Sequence, residues 1–126
     1  MTRVVIGLFL VAHGLIHVAI YGLPQPKGED VPFDPSYSWA LTSAHVAQNS
    51  TRRLSVLMAW ISAIVLSLAG LALLAESAVW VPVAVLGAAS GLLLKAVFFN
   101  TWLSAGIFID LCVLWAVAAG WPPSLL

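Results

Sequence analysis

The composition of this chain excludes a water-soluble domain. Of its 126 residues, 62% are hydrophobic and only 8% are charged, whereas soluble domains carry about 25% charged residues. Five basic residues balance five acidic ones, so no charge pattern indicates a nucleic-acid partner. The single cysteine, Cys112, excludes an intramolecular disulfide and Cys-x-x-Cys redox chemistry.

Four apolar stretches follow one another along the chain, at about 4–23, 54–75, 79–99 and 102–120. Each is close to the about 20 residues that an α-helix needs to cross a bilayer. We therefore predict an all-α polytopic membrane protein, a four-helix transmembrane bundle in one domain spanning 1–126. The first stretch resembles a signal peptide but continues to Leu23 without a small-x-small cleavage pattern, so we expect it to be retained.

A loop at 24–53 joins the first two predicted helices. Its first part, 24–35, contains four prolines and a glycine, which disfavour regular structure. Asp34 is a typical N-cap residue and Pro35 a typical first helical residue, so a short helix should run from there to about Gln48. Trp39 suits the boundary between water and lipid. We call the end of the bundle that carries this loop the loop side. We predict that the short helix is interfacial and lies across the mouth of the bundle at the loop side.

The orientation prediction depends on three basic residues. Lys27, Arg52 and Arg53 lie on the loop side, against Arg3 on the opposite side. The positive-inside rule then places the loop at 24–53 in the cytoplasm.

Polar residues interrupt three of the apolar stretches at matching depths. Measured from the loop side at 1.5 Å per residue, His13 and Asp110 are both about 15 Å deep. His17 is about 9 Å deep and Lys95 about 7 Å deep. This indicates an inner pair, His13 with Asp110, and an outer pair, His17 with Lys95, and we expect the inner pair to lie within hydrogen-bonding distance.

Residue spacing also indicates which way the charged side chains point. Gly87, Gly91 and Lys95 recur every four residues, and Gly106 precedes Asp110 by four, so each set shares a helix face. Glycines mark close helix contacts in membranes, which predicts that both charges face the bundle interior. Three structural alternatives stay open: Lys95 snorkelling to the headgroups, a purely structural pairing of Asp110, and neutral, hydrogen-bonded histidines.

The favoured functional hypothesis is acid–base chemistry on a lipophilic small molecule that reaches the site from membrane lipids. A carboxylate orients a histidine and keeps it basic, while a desolvated lysine can donate to an oxygen. Isomerase, cyclase or hydrolase chemistry on a terpenoid-like or quinone-like substrate would suit such a site. The predicted catalytic residues are His13, His17, Lys95 and Asp110, and the predicted pocket residues are Tyr21, Trp39, His45 and Asn100.

Two alternatives belong to other classes. His13, His17 and Asp110 could chelate a Zn, Cu or Fe ion, or one histidine could ligate a haem or chlorophyll, although Lys95 would weaken metal binding. The chain could instead be an accessory subunit of a larger membrane complex or a homo-oligomer whose buried charges set the helix register. The sequence itself names no cofactor.

A resemblance adds to this interpretation. "VAHGLIHV" in the first helix and "LKAVFFN" near residue 100 resemble small four-helix bacterial membrane proteins that share an A-H-G-L-I-H first helix, DoxX-like in layout. The resemblance implies a protein of the bacterial inner membrane and transfers no activity.

Overall fold

The computed structural model describes residues 1–23 and 33–125, and within them the regular elements are helices without a strand. Four helices are long and apolar enough to cross a membrane, with mean hydropathies of 2.2, 2.4, 1.7 and 1.8. This confirms the predicted all-α, four-helix membrane fold. The elements are α1 (Thr2–His17, continued by a π-helical turn, Val18–Gly22), α2 (Trp39–Ser43), α3 (Gln48–Leu74), α4 (Trp80–Val97) and α5 (Ser104–Ala118, preceded by a 3-10 turn, Thr101–Leu103).

Successive long helices pack on one another, with α1 against α3, α3 against α4 and α4 against α5. Small residues allow the close approach. A Cβ atom added at Gly70 of α3 would lie 2.5 Å from the carbonyl oxygen of Gly7 in α1. Ser62, Ala63 and Ala69 of α3 are likewise buried. Small side chains let helix backbones gain van der Waals contact where lipid supplies no hydrophobic driving force.

Side chains near both chain ends meet the turn between α3 and α4. Arg3 forms an ion pair with Glu76 in that turn. The indole Nε1 of Trp80 donates to the carbonyl oxygen of Leu125 at 3.3 Å. Residues 3 and 125 therefore lie at the same end of the bundle, as an even number of spans requires.

The helix in the first loop is shorter than the predicted 35–48. Asp34 does not cap it, because its Oδ1 accepts from the backbone and the side chain of Ser36 in a local turn. Ser38 caps α2 instead by accepting from the backbone N–H of Leu41. His45 ends the segment in a left-handed conformation, with φ of 57°. The next helix then begins at Gln48 rather than at 54.

The short α2 lies against the loop-side end of α4. Trp39 Nε1 donates to the carbonyl oxygen of Ala96 at 2.8 Å, and Ser38 Oγ donates to that of Val97. The last carbonyls of a helix have no intrahelical partner, so these bonds satisfy two of them. The loop helix therefore covers the end of α4.

The loop-side end of α1 is held from α3. Arg52 Nη1 donates to the carbonyl oxygen of Tyr21 at 2.9 Å, and its Nη2 donates to that of Leu23 at 3.1 Å. One guanidinium thus satisfies two carbonyls at a helix end, where a positive charge is also favourable.

Helix α5 is the most exposed of the long helices. Asp110 is its one buried residue, and only 11% of its membrane-length window is buried. It packs on α4, while residues of α1 and α5 together line two cavities described below. The contact between α1 and α5 is therefore centred on Asp110.

Candidate functional site

Four polar side chains from three helices meet inside the bundle, and we call them the polar cluster: His13 and His17 from α1, Lys95 from α4 and Asp110 from α5. All four are buried, with 0% to 4% of each residue exposed. These are the four predicted catalytic residues, and the structure brings them all together. Whether they catalyse a reaction stays a prediction.

Asp110 is the centre of the polar cluster. Its Oδ1 lies 2.7 Å from Nε2 of His13, and its Oδ2 lies 2.7 Å from Nζ of Lys95. The predicted contact between His13 and Asp110 is thereby confirmed. Each carboxylate oxygen has a hydrogen-bond donor, which a buried anion requires.

The ammonium of Lys95 has three acceptors. It lies 2.6 Å from Nε2 of His17, 2.7 Å from Asp110 Oδ2 and 3.4 Å from the carbonyl oxygen of Gly91. An ammonium carries three donors, so all of them are used. Lys95 is only 4% exposed, and the alternative in which it snorkels to the headgroups is therefore wrong.

The hydrogen bonds form a closed ring, from which the histidine tautomers are assigned. His17 Nδ1 donates to the backbone carbonyl of His13 at 2.9 Å, so its Nε2 is the acceptor for Lys95. His13 Nε2 donates to Asp110, which leaves Nδ1 as the basic nitrogen of His13. With both rings neutral, the charges of Lys95 and Asp110 cancel and the polar cluster has no net charge.

Two glycines make room for the polar cluster. A Cβ atom at Gly91 would lie 2.6 Å from Asp110 Oδ2 and 2.8 Å from His17 Nε2, while one at Gly106 would lie 2.6 Å from Lys95 Cε. The sequence interpretation attributed both glycines to helix packing. Their closest neighbours are instead the polar side chains themselves, which no residue spacing could indicate.

The two predicted depth layers merge in the structure. His13 with Asp110 and His17 with Lys95 form the predicted pairs. The aliphatic chain of Lys95 also extends far enough for its ammonium to contact Asp110. Depths counted from Cα positions along each helix did not predict this contact. A long side chain reaches several ångströms from its own backbone position, so depths taken from the backbone underestimate such contacts.

Three residues of the polar cluster, His13, His17 and Lys95, form part of the wall of a cavity of about 200 Å³ between α1 and α5, here the cluster cavity. Exposed residues such as Ile16 and Trp102 form its rim, so it opens on the outer surface of the bundle. The outer surface of membrane-spanning helices contacts lipid. The full lining is His13, Ile16, His17, Ile20, Tyr21, Lys95, Trp102, Leu103, Ala105, Gly106 and Ile109.

Of the four predicted pocket residues, Tyr21 lines the cluster cavity and the others do not. Trp39 is bonded to the end of α4, His45 lies in an exposed turn, and Asn100 caps the 3-10 turn by accepting from the N–H of Trp102. These three were predicted from their place near the loop side. The cavity opens sideways between two helices, so residues at the loop-side mouth lie outside its wall.

A second cavity of about 270 Å³ lies in the same gap, nearer the chain ends, and we call it the apolar groove. Phe9 of α1 and Ile109 of α5 belong to its wall, and Ile109 lines the cluster cavity as well. The ring of Phe9 stacks parallel to that of His13, with centroids 5.9 Å apart. The rest of its wall is also apolar: Ile6, Leu10, Trp80, Phe108, Cys112, Val113, Ala116, Val117, Trp121 and Pro122.

Sequence reasoning missed the apolar walls of both cavities. In the sequence, Ile16, Ile20 and Trp102 look like ordinary lipid-facing residues, because the same apolar residue types occur in cavity walls and on lipid-facing surfaces. One sequence signal was usable. Residues four apart share a helix face, and the residues that do so here, each lining at least one cavity, are Phe9, His13, His17 and Tyr21.

The predicted metal ligands are also assembled. One ligand atom from each of His13, His17 and Asp110 lies within 4.8 Å of the others. However, Nζ of Lys95 lies 2.6 Å from Nε2 of His17 and 2.7 Å from Oδ2 of Asp110. The ammonium therefore occupies the position in which a metal ion would bind these atoms. A metal would have to displace a cation that the protein itself supplies, so this donor set does not fit a metal while Lys95 is in place.

No protein-family model, curated protein or solved structure matches this chain. The resemblance of its first helix to small four-helix bacterial membrane proteins therefore stays a prediction.

Proposed function

We propose that this integral membrane protein performs acid–base chemistry on a lipophilic small molecule in the cluster cavity. The observation that carries the proposal is that Asp110 holds His13 through a 2.7 Å hydrogen bond, and that His13 lines a cavity open on the outer surface of the bundle. Ionisable groups inside a membrane are costly and are usually retained for a function. The proposal therefore explains why an apolar bundle contains this set of residues.

His13 is the proposed general base. Asp110 holds Nε2, and the remaining nitrogen, Nδ1, can accept a proton from a molecule in the cavity. The carboxylate would then stabilise the imidazolium that forms.

Lys95 is the proposed donor to a developing oxyanion. Of the three hydrogen-bond contacts of its ammonium, the 3.4 Å contact with the carbonyl oxygen of Gly91 is the longest. The N–H in this contact is therefore the one most easily redirected to a ligand. Since Asp110 holds a second N–H, the ammonium would stay in place during the reaction.

Isomerisation is the reaction type that needs the least from the site. In a carbonyl compound with a carbon–carbon double bond one carbon further along, His13 removes a proton from the carbon between the two groups, and electrons shift onto the oxygen facing Lys95. The carbonyl then re-forms, the double bond moves next to it, and the imidazolium returns the proton to the far carbon of the original double bond. Atoms and electrons balance without a co-reactant. Cyclisation or hydrolysis would require further groups.

The test compares His13→Gln and Asp110→Asn with the wild type in detergent. Both changes nearly preserve side-chain size and remove proton transfer or charge. We expect both variants to remain folded and monodisperse, with Asp110→Asn the less stable of the two, and to lose co-purifying lipophilic molecules or to stop converting them, as measured by mass spectrometry of organic extracts. Unchanged retention and conversion in both folded variants would overturn the proposal.

A structural function is the second candidate, favoured by the closed hydrogen-bond ring and by Asp110 being the one buried residue of α5. In this case the polar cluster would attach α5 to the bundle, and the exposed face of α5 would contact a second copy or a larger membrane complex. The double variant Asp110→Asn/Lys95→Met distinguishes the two functions. Recovered stability with ligand content unchanged in every variant would favour the structural function.

The location also remains a proposal: the inner membrane of a bacterium, with the loop at 24–53 in the cytoplasm. Single-cysteine variants of a Cys112→Ser protein, at residue 2 and at residue 45, test the orientation with a membrane-impermeant maleimide. Labelling of residue 45 from outside intact cells would contradict it.

A further inference from the structure

Tyr21 is one of the residues that line the cluster cavity, and its hydroxyl is an unused hydrogen-bonding group. Its side chain is 0% exposed, and within 1–23 and 33–125 its hydroxyl is the buried side-chain polar atom that has no hydrogen-bond partner. Buried phenolic hydroxyls almost always find a partner. The rings of Phe33 and Phe98 pack edge to face on the ring of Tyr21, with ring centroids 4.9 Å and 6.2 Å from its own. These contacts hold the Tyr21 ring in place without using its hydroxyl.

The groups around Tyr21 favour an uncharged oxygen that accepts hydrogen bonds. The ammonium of Lys95 in this wall is already paired with Asp110, so a charged ligand would find no unpaired counter-charge there. The Tyr21 hydroxyl is a donor, and Lys95 has one weakly engaged N–H. Two donors beside a base suit a carbonyl oxygen, which only accepts.

The shape of the gap between α1 and α5 favours a long hydrocarbon tail on the same molecule. The apolar groove is next to the cluster cavity, since Ile109 lines both. Phe9 in the groove and His17 in the cavity are separated along α1 by about 12 Å, at 1.5 Å per residue. A molecule whose carbonyl lies at Tyr21 would thus extend its chain over Phe9 into the groove.

We propose that the cluster cavity and the apolar groove together bind a neutral long-chain carbonyl compound, with the Tyr21 hydroxyl donating to its oxygen. This inference rests on the proposed function, because it identifies the substrate class on which the acid–base pair would act. It adds a recognition residue, Tyr21, outside the hydrogen-bond ring.

The experiment uses the protein in lipid nanodiscs and a hexadecan-2-one probe that carries a diazirine and a terminal alkyne. Photolabelling is competed with unlabelled hexadecan-2-one, hexadecane or palmitate. We expect the ketone to compete at a concentration at least fivefold lower than either of the others, and labelled peptides to include residues 16–21 or 102–109. Equal competition by hexadecane would overturn the proposal.

The Tyr21→Phe variant removes only the hydroxyl, and Tyr37→Phe is its matched control, since Tyr37 is exposed and is the only other tyrosine. One lost hydrogen bond should raise the competing ketone concentration about 3- to 10-fold in Tyr21→Phe. The control and the hexadecane curves should not change. An unchanged ketone curve in Tyr21→Phe would overturn the assignment.

The two proposals fail separately. Tyr21-dependent ketone binding, combined with unchanged lipid conversion in His13→Gln, would retain this binding site and reject the acid–base chemistry. Lost conversion in His13→Gln, combined with ketone binding that does not depend on Tyr21, would reject this site alone.

Discussion

Lys95 and Asp110 form a buried ion pair, with Nζ 2.7 Å from Oδ2, that joins α4 to α5 within a bundle of apolar helices. Apolar packing alone does little to hold α5, because lipid tails solvate its surface as well as protein does. The ion pair and the bond from His13 therefore determine how α5 faces α1, and with it the shape of both cavities.

Removing one partner of this pair should destabilise the protein more than removing both. Asp110→Asn leaves the ammonium of Lys95 without its counter-charge, at a cost of about 3–5 kcal/mol, while Asp110→Asn/Lys95→Met should cost much less. Thermal unfolding in detergent measures both. A double variant less stable than the single one would contradict a coupled pair.

Removing Lys95 alone should create a metal site. In Lys95→Ala the two imidazoles and the carboxylate stay within 4.8 Å of one another, while the competing ammonium is gone. We expect this variant to bind Co²⁺ with visible d–d absorbance, and the wild type to show none. Adding His17→Gln should abolish the signal. Equal Co²⁺ binding by the wild type would contradict our assignment of the cation position to Lys95.

Gly91→Ala should disrupt the polar cluster, since the new methyl group would lie 2.6 Å from Asp110 Oδ2. Gly87→Ala is the matched control, because the three atoms nearest to its methyl group would all belong to Leu66, the closest at 2.8 Å. Both should lower the melting temperature, but only Gly91→Ala should also lose lipophilic ligand in mass spectrometry. Equal ligand retention in the two variants would show that Gly91 serves packing alone.

Arg52→Gln should loosen the end of α1, because two carbonyl oxygens, those of Tyr21 and Leu23, would lose their donor. We expect a loss of about 1–2 kcal/mol in unfolding free energy. The adjacent Arg53 is exposed, so Arg53→Gln provides the control and should change little. Similar losses in both variants would indicate a general charge effect.

Ala116→Phe should fill the apolar groove and shorten the longest tail that binds. Hexadecan-2-one should compete less well in the photolabelling assay by at least threefold, while octan-2-one, which needs only the cluster cavity, should be unaffected. Ala118→Phe, at an exposed position outside the groove, is the control. Equal losses for both ketones would contradict the division into head and tail sites.

The sequence by itself determined the helices and the pairing of the polar residues. Apolar runs of membrane length must be helical, because lipid offers no partner for backbone N–H and C=O groups. Within such helices, equal counts from the loop side bring His13 level with Asp110, and glycine spacing turns Lys95 and Asp110 inward, although the same counts also allowed Lys95 to snorkel to the headgroups.

Only the tertiary structure decided how the site is completed. Whether Lys95 reaches Asp110, whether Gly91 serves the polar cluster or a helix contact, and whether the gap beside α5 stays open all depend on the distances between helices. Residues far apart in sequence set those distances, through side chains such as Gly7 against Gly70. The loop also required the structure, because the side chain of Asp34 bonds Ser36 locally and leaves the helix cap to Ser38. The spacing of residues along the sequence describes one helix at a time, and it does not determine the distance between that helix and a second one.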